Sequence, residues 1–262
     1  MSNFKPQKHQ QNPHKNRGYN TSRPKPQSDL VYGLHSVSAA LDNPDRQIKE
    51  IFVTKNAAIK LQSQLTERNI TAQIVLPRDL DKLCGPDSVH QGIVARLGPL
   101  PQLDIDDLEP RGIIVLLDQV TDPHNVGAIL RSCAAFNVQA LITTERNSPQ
   151  GSAILGKTAS GGLEYVPIIE VTNLSQAMDQ LKKQNFTLIG LDSEAENAMG
   201  EITIPPPLAL VLGAEGKGLR HKTRQNCDIM ARLDMPGTIK SLNVSNAAAI
   251  CLYALHTSIC GV

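Results

Sequence analysis

Polar residues suited to holding a charged ligand crowd residues 116–133, LLDQVTDPHNVGAILRSC, between a predicted strand and a predicted helix. Asp122 and Pro123 suit a tight turn, and Asn125 suits the start of a helix, so about half of the pattern has a structural explanation. Arg131 is harder to explain in that way, because the opposite face of its helix is apolar. Its guanidinium could grip a phosphate in a bidentate manner. The stretch therefore indicates an anion site at the end of a strand.

A second stretch, LVLGAEGKGLR at residues 210–220, places three glycines within six residues after an apolar strand. Gly213, Gly216 and Gly218 allow the backbone to approach a ligand closely or to take a positive φ. Their spacing matches neither the Walker A loop nor the GxGxxG fingerprint, which disfavours a small-molecule nucleotide enzyme of those types. Glu215, inside the turn, could bind a polar group.

A third stretch, at residues 233–255, reads LDMPGTIKSLNVSNAAAICLYAL. Ser241, Asn243, Ser245 and Asn246 crowd the start of a helix, and four such residues exceed what one helix cap needs. From Ala247 onward the helix is apolar. We expect it to pack in a core or against a second subunit.

The elements that must position these loops are apolar strands alternating with amphipathic helices. Five strands are predicted between residues 112 and 213: GIIVLLD, QALITT, YVPIIEV, TLIGLD and LALVLG. Two helices carry their apolar residues on one face, namely Val126, Ile129, Leu130 and Cys133 in one and Leu174, Ala177, Met178 and Leu181 in the other. This alternation predicts an α/β fold with a parallel sheet covered on both faces. Ligands of such sheets bind beyond the carboxyl ends of the strands, where the three loops fall.

Composition divides the chain into four parts. Residues 30–98 predict a small α/β domain that begins with a helix at VYGLHSVSAAL, residues 99–111 have the composition of a linker, and residues 112–262 form the second domain. The first 29 residues hold one acid, Asp29, and six basic residues: Lys5, Lys8, Lys15, Arg17, Arg23 and Lys25. We expect this tail to be disordered and to meet nucleic acid through its phosphates, with a solubilising extension as the alternative.

The overall composition is typical of a globular protein of a reducing compartment. Hydrophobic residues make up 40% of the 262 residues, without an apolar run of 18, and we see no transmembrane helix or signal peptide. The five cysteines are widely spaced, and we expect buried free thiols rather than disulfides or a zinc site. The sequence thus predicts a cytoplasmic protein without a membrane partner.

Together the three loops resemble the SpoU branch of the SPOUT RNA methyltransferases, the TrmH family. DPHNVGAILRSC, LGAEGKGLR and SLNVSNAAAI correspond to its three motifs in order, although Asn246 departs from the aliphatic residue often found there. VYGLHSV, HQGIVARL and KTASGGLEYVPIIEVTNL are similar to members of the family that methylate a guanosine of 23S rRNA. The resemblance covers about residues 30–259.

The resemblance implies a C-terminal SPOUT-type parallel sheet with a deep trefoil knot and a small N-terminal domain similar to ribosomal protein L30e. It further implies S-adenosylmethionine as methyl donor without a metal, RNA as substrate and a homodimer. By position in the motifs, it assigns catalysis and substrate holding to Asn125, Arg131, Glu215, Ser241 and Asn243. It assigns cofactor contacts to Gly213, Leu233 and Leu242.

The implied reaction is 2′-O-methylation of a ribose, which needs an aligned hydroxyl and a route for its proton. A guanidinium with a pKa above about 12 is a poor base, so we expect Arg131 to hold phosphate while that phosphate or another group accepts the proton. We assign Ser241 and Asn243 to holding Arg131 and the ribose, and Glu215 to orienting them. Two alternatives remain at this point: a tRNA 2′-O-methyltransferase of the same family, and a non-catalytic RNA-binding factor of ribosome assembly.

Overall fold

The computed structural model describes residues 29–85, 87–148, 153–239 and 241–260. Residues 1–28 of the basic tail lie outside the described residues, so the disorder of the tail and its contact with RNA stay predictions. Two β-sheets organise the described chain, one in its N-terminal part and one in its C-terminal part.

The N-terminal sheet has four strands in the order β1-β4-β2-β3: β1 (Leu30–Tyr32), β2 (Ile48–Val53), β3 (Gln73–Ile74) and β4 (Ile93–Leu97). Its helices are α1 (Leu34–Asp42), α2 (Lys55–Lys60), α3 (Gln62–Glu67) and α4 (Pro77–Cys84). The helix predicted at VYGLHSVSAAL is wrong in its first two residues. Val31 pairs with Ala95 and Tyr32 with Val94, because a partner strand distant in sequence determines their conformation.

The C-terminal sheet has seven strands in the order β7-β6-β5-β10-β8-β11-β9, and each pairing is parallel. The strands are β5 (Ile113–Asp118), β6 (Leu141–Thr144), β7 (Ile168–Val171), β8 (Thr187–Leu191), β9 (Asn197–Ala198), β10 (Leu208–Gly213) and β11 (Ile229–Arg232). The helices are α5 (Pro123–Ala135), α6 (Ala153–Thr158), α7 (Leu174–Lys183), α8 (His221–Asn226) and α9 (Val244–Cys260). The five predicted strands are present, and β9 and β11 are additional.

Helices cover both faces of this sheet. Alternate residues of β5 enter two separate cores, with Val115 in the core beneath α5 and α9 and Leu116 in the core beneath α7. The apolar faces predicted for α5 and α7 are fully or almost fully buried. The predicted doubly covered parallel sheet is therefore confirmed, whereas the trefoil knot stays a prediction.

The segment predicted as a linker packs against the C-terminal sheet. It contains a single 3-10 turn at Ile105–Asp107, capped by Asp104. Ile105 and Leu108 are buried in the core beneath α7. Two well-placed apolar residues thus hold a stretch whose prolines and acids hide any periodicity.

The five cysteines are free thiols, as predicted. Cys133 and Cys251 are buried, and burial raises the pKa of each to about 12. Cys84 and Cys227 are half-buried and Cys260 is exposed, which corrects the expectation that all five are buried. Among the described helices, none is both long and apolar enough to cross a membrane.

Candidate functional site

Three loops leave the C-terminal sheet at the same edge. The strands β5 and β10 are parallel neighbours, and Asp118 and Gly213 face each other at their carboxyl ends. Two strands away from β10, β11 ends at Arg232. The eight residues predicted for the site lie at the end of β10, in the loops that follow these strands and on helix α5.

Three of the predicted residues meet in a polar cluster of Asn125, Glu215 and Asn243. The Asn243 amide nitrogen donates to Asn125 Oδ1 at 3.0 Å and to Glu215 Oε2 at 3.4 Å. Asn243 Oδ1 in turn accepts from the backbone N–H of Ser245 at 2.8 Å and from the Ser245 hydroxyl at 2.6 Å. A single side-chain amide therefore joins the starts of α5 and α9 to residues 213–220, which we call the glycine loop.

The start of α5 fixes the position of Asn125. Asp122 caps this helix by accepting from the N–H of His124 at 3.0 Å, and Pro123 occupies the first turn, where its missing N–H costs nothing. The local sequence thus determines where α5 begins, and Asn125 faces Asn243 as a consequence.

Arg131 and Ser241 are not part of the polar cluster. The side chain of Arg131 is exposed on α5 and forms no hydrogen bond or ion pair with the described residues. Arg131 lies six positions after Asn125 on the helix, which places the two side chains about 120° apart around the axis and about 9 Å apart along it. Ser241 is likewise exposed. Asn243, which we expected to hold Arg131, instead contacts Asn125 and Glu215.

The glycine loop folds back on its own strand at Gly213. A Cβ at this position would lie 2.2 Å from the carbonyl carbon of Gly218 and 2.5 Å from the backbone nitrogen of Leu219. The N–H of Gly218 donates to the carbonyl of Ala214 at 2.8 Å and closes the turn. Only glycine permits this contact between backbones, so Gly213 is required for the loop to close.

An ion pair that the sequence reading missed anchors the far end of this loop. The carboxylate of Asp118 is buried at the end of β5 and accepts from the backbone N–H of Arg220 at 2.9 Å and from Arg220 Nε at 2.7 Å. The only signal in the sequence was an acid that terminates an apolar strand. Two hydrogen bonds to a buried carboxylate hold Arg220 beside the end of β5.

The residues predicted to hold the cofactor offer apolar surface and backbone at the same edge. Leu233 follows β11 and is half-buried against the core, while Leu242 is exposed beside Asn243. Because β8 separates β10 from β11, those two strands run about 10 Å apart, with Gly213 at the end of β10 and Leu233 just after β11. Leucine surface and the closed glycine loop therefore fit the adenosine part of S-adenosylmethionine.

Two further groups at this edge were also missed. The hydroxyls of Thr143 and Thr144, at the end of β6, are buried without a hydrogen-bond partner in the described structure.

Within the described ranges, no group of three or more His, Cys, Asp or Glu residues could hold a metal ion.

These features define a class of α/β proteins that bind a nucleoside-containing ligand beyond the carboxyl ends of a parallel sheet. The model of the SpoU rRNA Methylase family matches residues 112–253, and the model for RNA 2′-O ribose methyltransferase substrate binding matches residues 30–103. The chain belongs to the SpoU rRNA methylase family, which confirms the resemblance of the three motifs.

Individual relatives are similar over most of the chain. The 23S rRNA (guanosine-2′-O-)-methyltransferase RlmB of Pasteurella multocida is 39% identical over 239 residues, which are 87% of this chain and 97% of that protein. RlmB of Escherichia coli K12 is 38% identical over 236 residues, 86% of this chain and 97% of that protein. The crystal structure of the SpoU methyltransferase AviRb from Streptomyces viridochromogenes with the cofactor AdoMet matches with a TM-score of 0.72 and 25% identity, over 87% of this chain and 88% of that one.

Proposed function

We propose that this protein transfers a methyl group from S-adenosylmethionine to the ribose 2′-hydroxyl of a guanosine in 23S rRNA. The observation that carries the proposal is the polar cluster of Asn125, Glu215 and Asn243 at the carboxyl edge of the sheet. It occurs in a chain that matches RlmB proteins over 97% of their length. We assign RNA binding to residues 30–98, the connection to residues 99–111 and catalysis to residues 112–262.

Each site residue has a role that its position supports. Bound S-adenosylmethionine supplies a methyl group already activated by its sulfonium, and Gly213, Leu233 and Leu242 hold its adenosine. Asn125 orients the ribose through its amide nitrogen, Asn243 fixes Asn125 in place, and Glu215 orients Asn243.

The two exposed residues, Arg131 and Ser241, face the RNA in this proposal. Because Arg131 has no partner within the described chain, its guanidinium is free to take a phosphate of the RNA. Ser241 holds the ribose or its phosphate at the mouth of the site. The phosphate or another group then accepts the 2′-hydroxyl proton, since a guanidinium holds its own proton at neutral pH.

Two alternatives are less well supported. The match of residues 30–103 to a substrate-binding module and the full-length similarity to rRNA enzymes favour rRNA over tRNA. A non-catalytic assembly factor has no need for the intact polar cluster. An rRNA substrate and five free thiols also favour the cytoplasm as its location.

The proposal is tested by mapping ribose methylation in RNA from cells with and without this protein. We expect one guanosine of 23S rRNA to lose its 2′-O-methyl group and to regain it when the wild-type gene is restored, but not when the Arg131→Ala gene is restored. Loss of methylation confined to tRNA would contradict the choice of substrate. Unchanged methylation of all RNA would contradict the activity.

We further propose that the protein is a homodimer that uses the outer face of α9. One face of this helix is buried in the core through Ala248, Leu252 and Leu255, whereas Ile250 and Tyr253 are 46% and 60% exposed on the other. The ring of Phe136 lies edge-on to Tyr253, with 6.3 Å between the ring centroids. A contiguous apolar and aromatic surface of this kind is typical of a protein interface.

The double substitution Ile250→Asp and Tyr253→Asp is expected to convert a dimer into a monomer, because two carboxylates cannot be buried unpaired in an apolar interface. Multi-angle light scattering at micromolar concentration measures the mass. The matched control is Ile59→Asp on α2, where the side chain is 71% exposed, and it should leave the dimer intact. A fully active wild-type monomer would refute the dimer, and a dimeric double variant would place the interface elsewhere.

A further inference from the structure

A buried ion pair joins the two halves of the chain. Arg46 precedes β2, and Glu164 ends the 3-10 turn Gly162–Glu164 beside the C-terminal sheet. Arg46 Nε lies 3.2 Å from Glu164 Oε1, and their side chains are only 9% and 4% exposed. The side-chain amide of Asn43, at the end of α1, donates to Glu164 Oε2 at 3.0 Å. We call Asn43, Arg46 and Glu164 the docking cluster.

The docking cluster brings its two charges together at an energetic cost. Burial raises the pKa of the Glu164 carboxyl and lowers the pKa of Arg46, so both charges are paired at the expense of their hydration. Arg46 Nη1 also donates to the carbonyl of Gly98 at 2.7 Å, which ties the guanidinium to the end of β4. Apolar residues would often join two surfaces with equal stability, so a buried pair here points to a fixed orientation.

The turn that carries Glu164 rests directly on the helix that carries Arg131. A Cβ at Gly162 would lie 3.0 Å from the carbonyl oxygen of Leu130 and 3.3 Å from the backbone nitrogen of Arg131. Leu155 and Ala159, just before this turn, are buried in the same core as Leu130. The turn Gly162–Glu164 thus contributes Glu164 to the docking cluster on one side and contacts the backbone of α5 on the other.

A second contact supports the same arrangement. The hydroxyl of Ser36 on α1 donates to the carbonyl of Gly156 on α6 at 3.2 Å. Hence α1 holds this segment at two points, Gly156 and Glu164. The stretch KTASGGLEYVP, which the assigned site residues leave without a role, contains Glu164 and lies between the two halves.

We propose that the docking cluster positions Arg131: it transmits the placement of the RNA-binding part, through Glu164 and the turn at Gly162, to the turn of α5 that carries the arginine. The inference rests on the proposed methyl transfer and adds Arg46, Asn43 and Glu164 to it as positioning residues. RNA bound by the N-terminal part is thereby held at a fixed position relative to the Arg131 guanidinium, which binds its phosphate.

The test measures single-turnover methylation of a 23S rRNA fragment and calorimetric binding of S-adenosylmethionine by the full chain. At saturating RNA, Glu164→Ala and Arg46→Ala should each lower the rate about tenfold, since small misplacement of a catalytic group is costly. Cofactor affinity should stay within about twofold, because Gly213, Leu233 and Leu242 lie on other elements. The double variant should be no slower than either single variant, since both act through one contact.

Two milder variants and a control keep the result interpretable if the alanine variants unfold. Glu164→Gln keeps the acceptor for Asn43 but loses the charge, and Arg46→Lys keeps the charge but loses the fork, so both should have intermediate rates. Glu50→Ala, which removes an exposed ion pair with Arg96 at 3.1 Å in the same N-terminal sheet, should have the wild-type rate.

The outcomes separate a positioning role from a merely structural one. If the variants unfold cooperatively and show a raised KM for RNA but an unchanged rate at saturating RNA, the inference is overturned. The docking cluster would then only connect the two halves of the chain. Wild-type rates in Glu164→Gln and Arg46→Lys would also overturn it. Failure of the wild-type protein to methylate any RNA would instead count against the proposed function.

Discussion

Arg131→Ala is expected to lower the single-turnover rate of methyl transfer by at least about 10²-fold, the usual cost of losing a positioned catalytic group. Cofactor binding should remain near the wild-type value. The side chain is exposed and has no hydrogen bond or ion pair within the described residues, so its removal leaves no buried charge unpaired. The free energy of unfolding of Arg131→Ala should therefore be close to that of the wild type.

Arg131→Lys separates charge from geometry at the same position. A lysine keeps the positive charge but presents one compact ammonium in place of a planar fork. We expect its rate to be nearly as low as that of the alanine variant if the fork aligns phosphate and ribose together. A near-wild-type rate would mean that charge alone suffices.

The Arg131 experiment pairs calorimetric binding of S-adenosylmethionine with single-turnover methylation of 23S rRNA fragments. Arg111→Ala is the control, since Arg111 is exposed and forms only a surface ion pair with Glu109 at 2.8 Å. A near-normal rate of methyl transfer in Arg131→Ala would contradict the catalytic role assigned to Arg131. Lost cofactor binding would make Arg131 a structural residue of the pocket.

The parallel sheet was predictable from the sequence because its central strands are continuous apolar runs. All six residues of β5 are buried, and a chain that alternates such runs with amphipathic helices has few other folds available. The edge of the sheet was not predictable in this way. β11 is a four-residue strand, IMAR, whose conformation depends on pairing with β8 some 40 residues earlier in the chain. Short strands of this kind are determined by tertiary contacts.

The members of the polar cluster were predictable from the sequence, whereas its geometry was not. Motif positions led to Asn125, Glu215 and Asn243, but nothing local indicates that one amide bridges the other two across 118 and 28 residues. The pairing of Asp118 with Arg220, 102 residues apart, is equally invisible in the sequence. Helical geometry alone, by contrast, already separates Asn125 from Arg131, because six residues do not return to the same face.

Gly213→Ala is expected to weaken binding of S-adenosylmethionine by roughly 10- to 100-fold. The new methyl carbon would lie 2.2 Å from the carbonyl carbon of Gly218, and both contacting groups are backbone, which cannot rotate away. Relieving such overpacking costs about 1–3 kcal/mol. If the chain relieves the clash by holding the glycine loop open, S-adenosylmethionine, whose binding requires the closed loop, binds more weakly. Its affinity then falls about tenfold for each 1.4 kcal/mol that closing the loop costs.

Calorimetry with S-adenosylmethionine and urea unfolding of the same Gly213→Ala sample distinguish a local opening from global damage. The control is Gly200→Ala, where a Cβ would meet no described atom within 4 Å, so both its affinity and its stability should match the wild type. Unchanged cofactor affinity in Gly213→Ala would exclude the closed loop from the cofactor site. Weakened affinity with a cooperative unfolding transition would instead place the loss in the loop, because the ion pair of Arg220 with the buried Asp118 carboxylate still anchors its far end to β5.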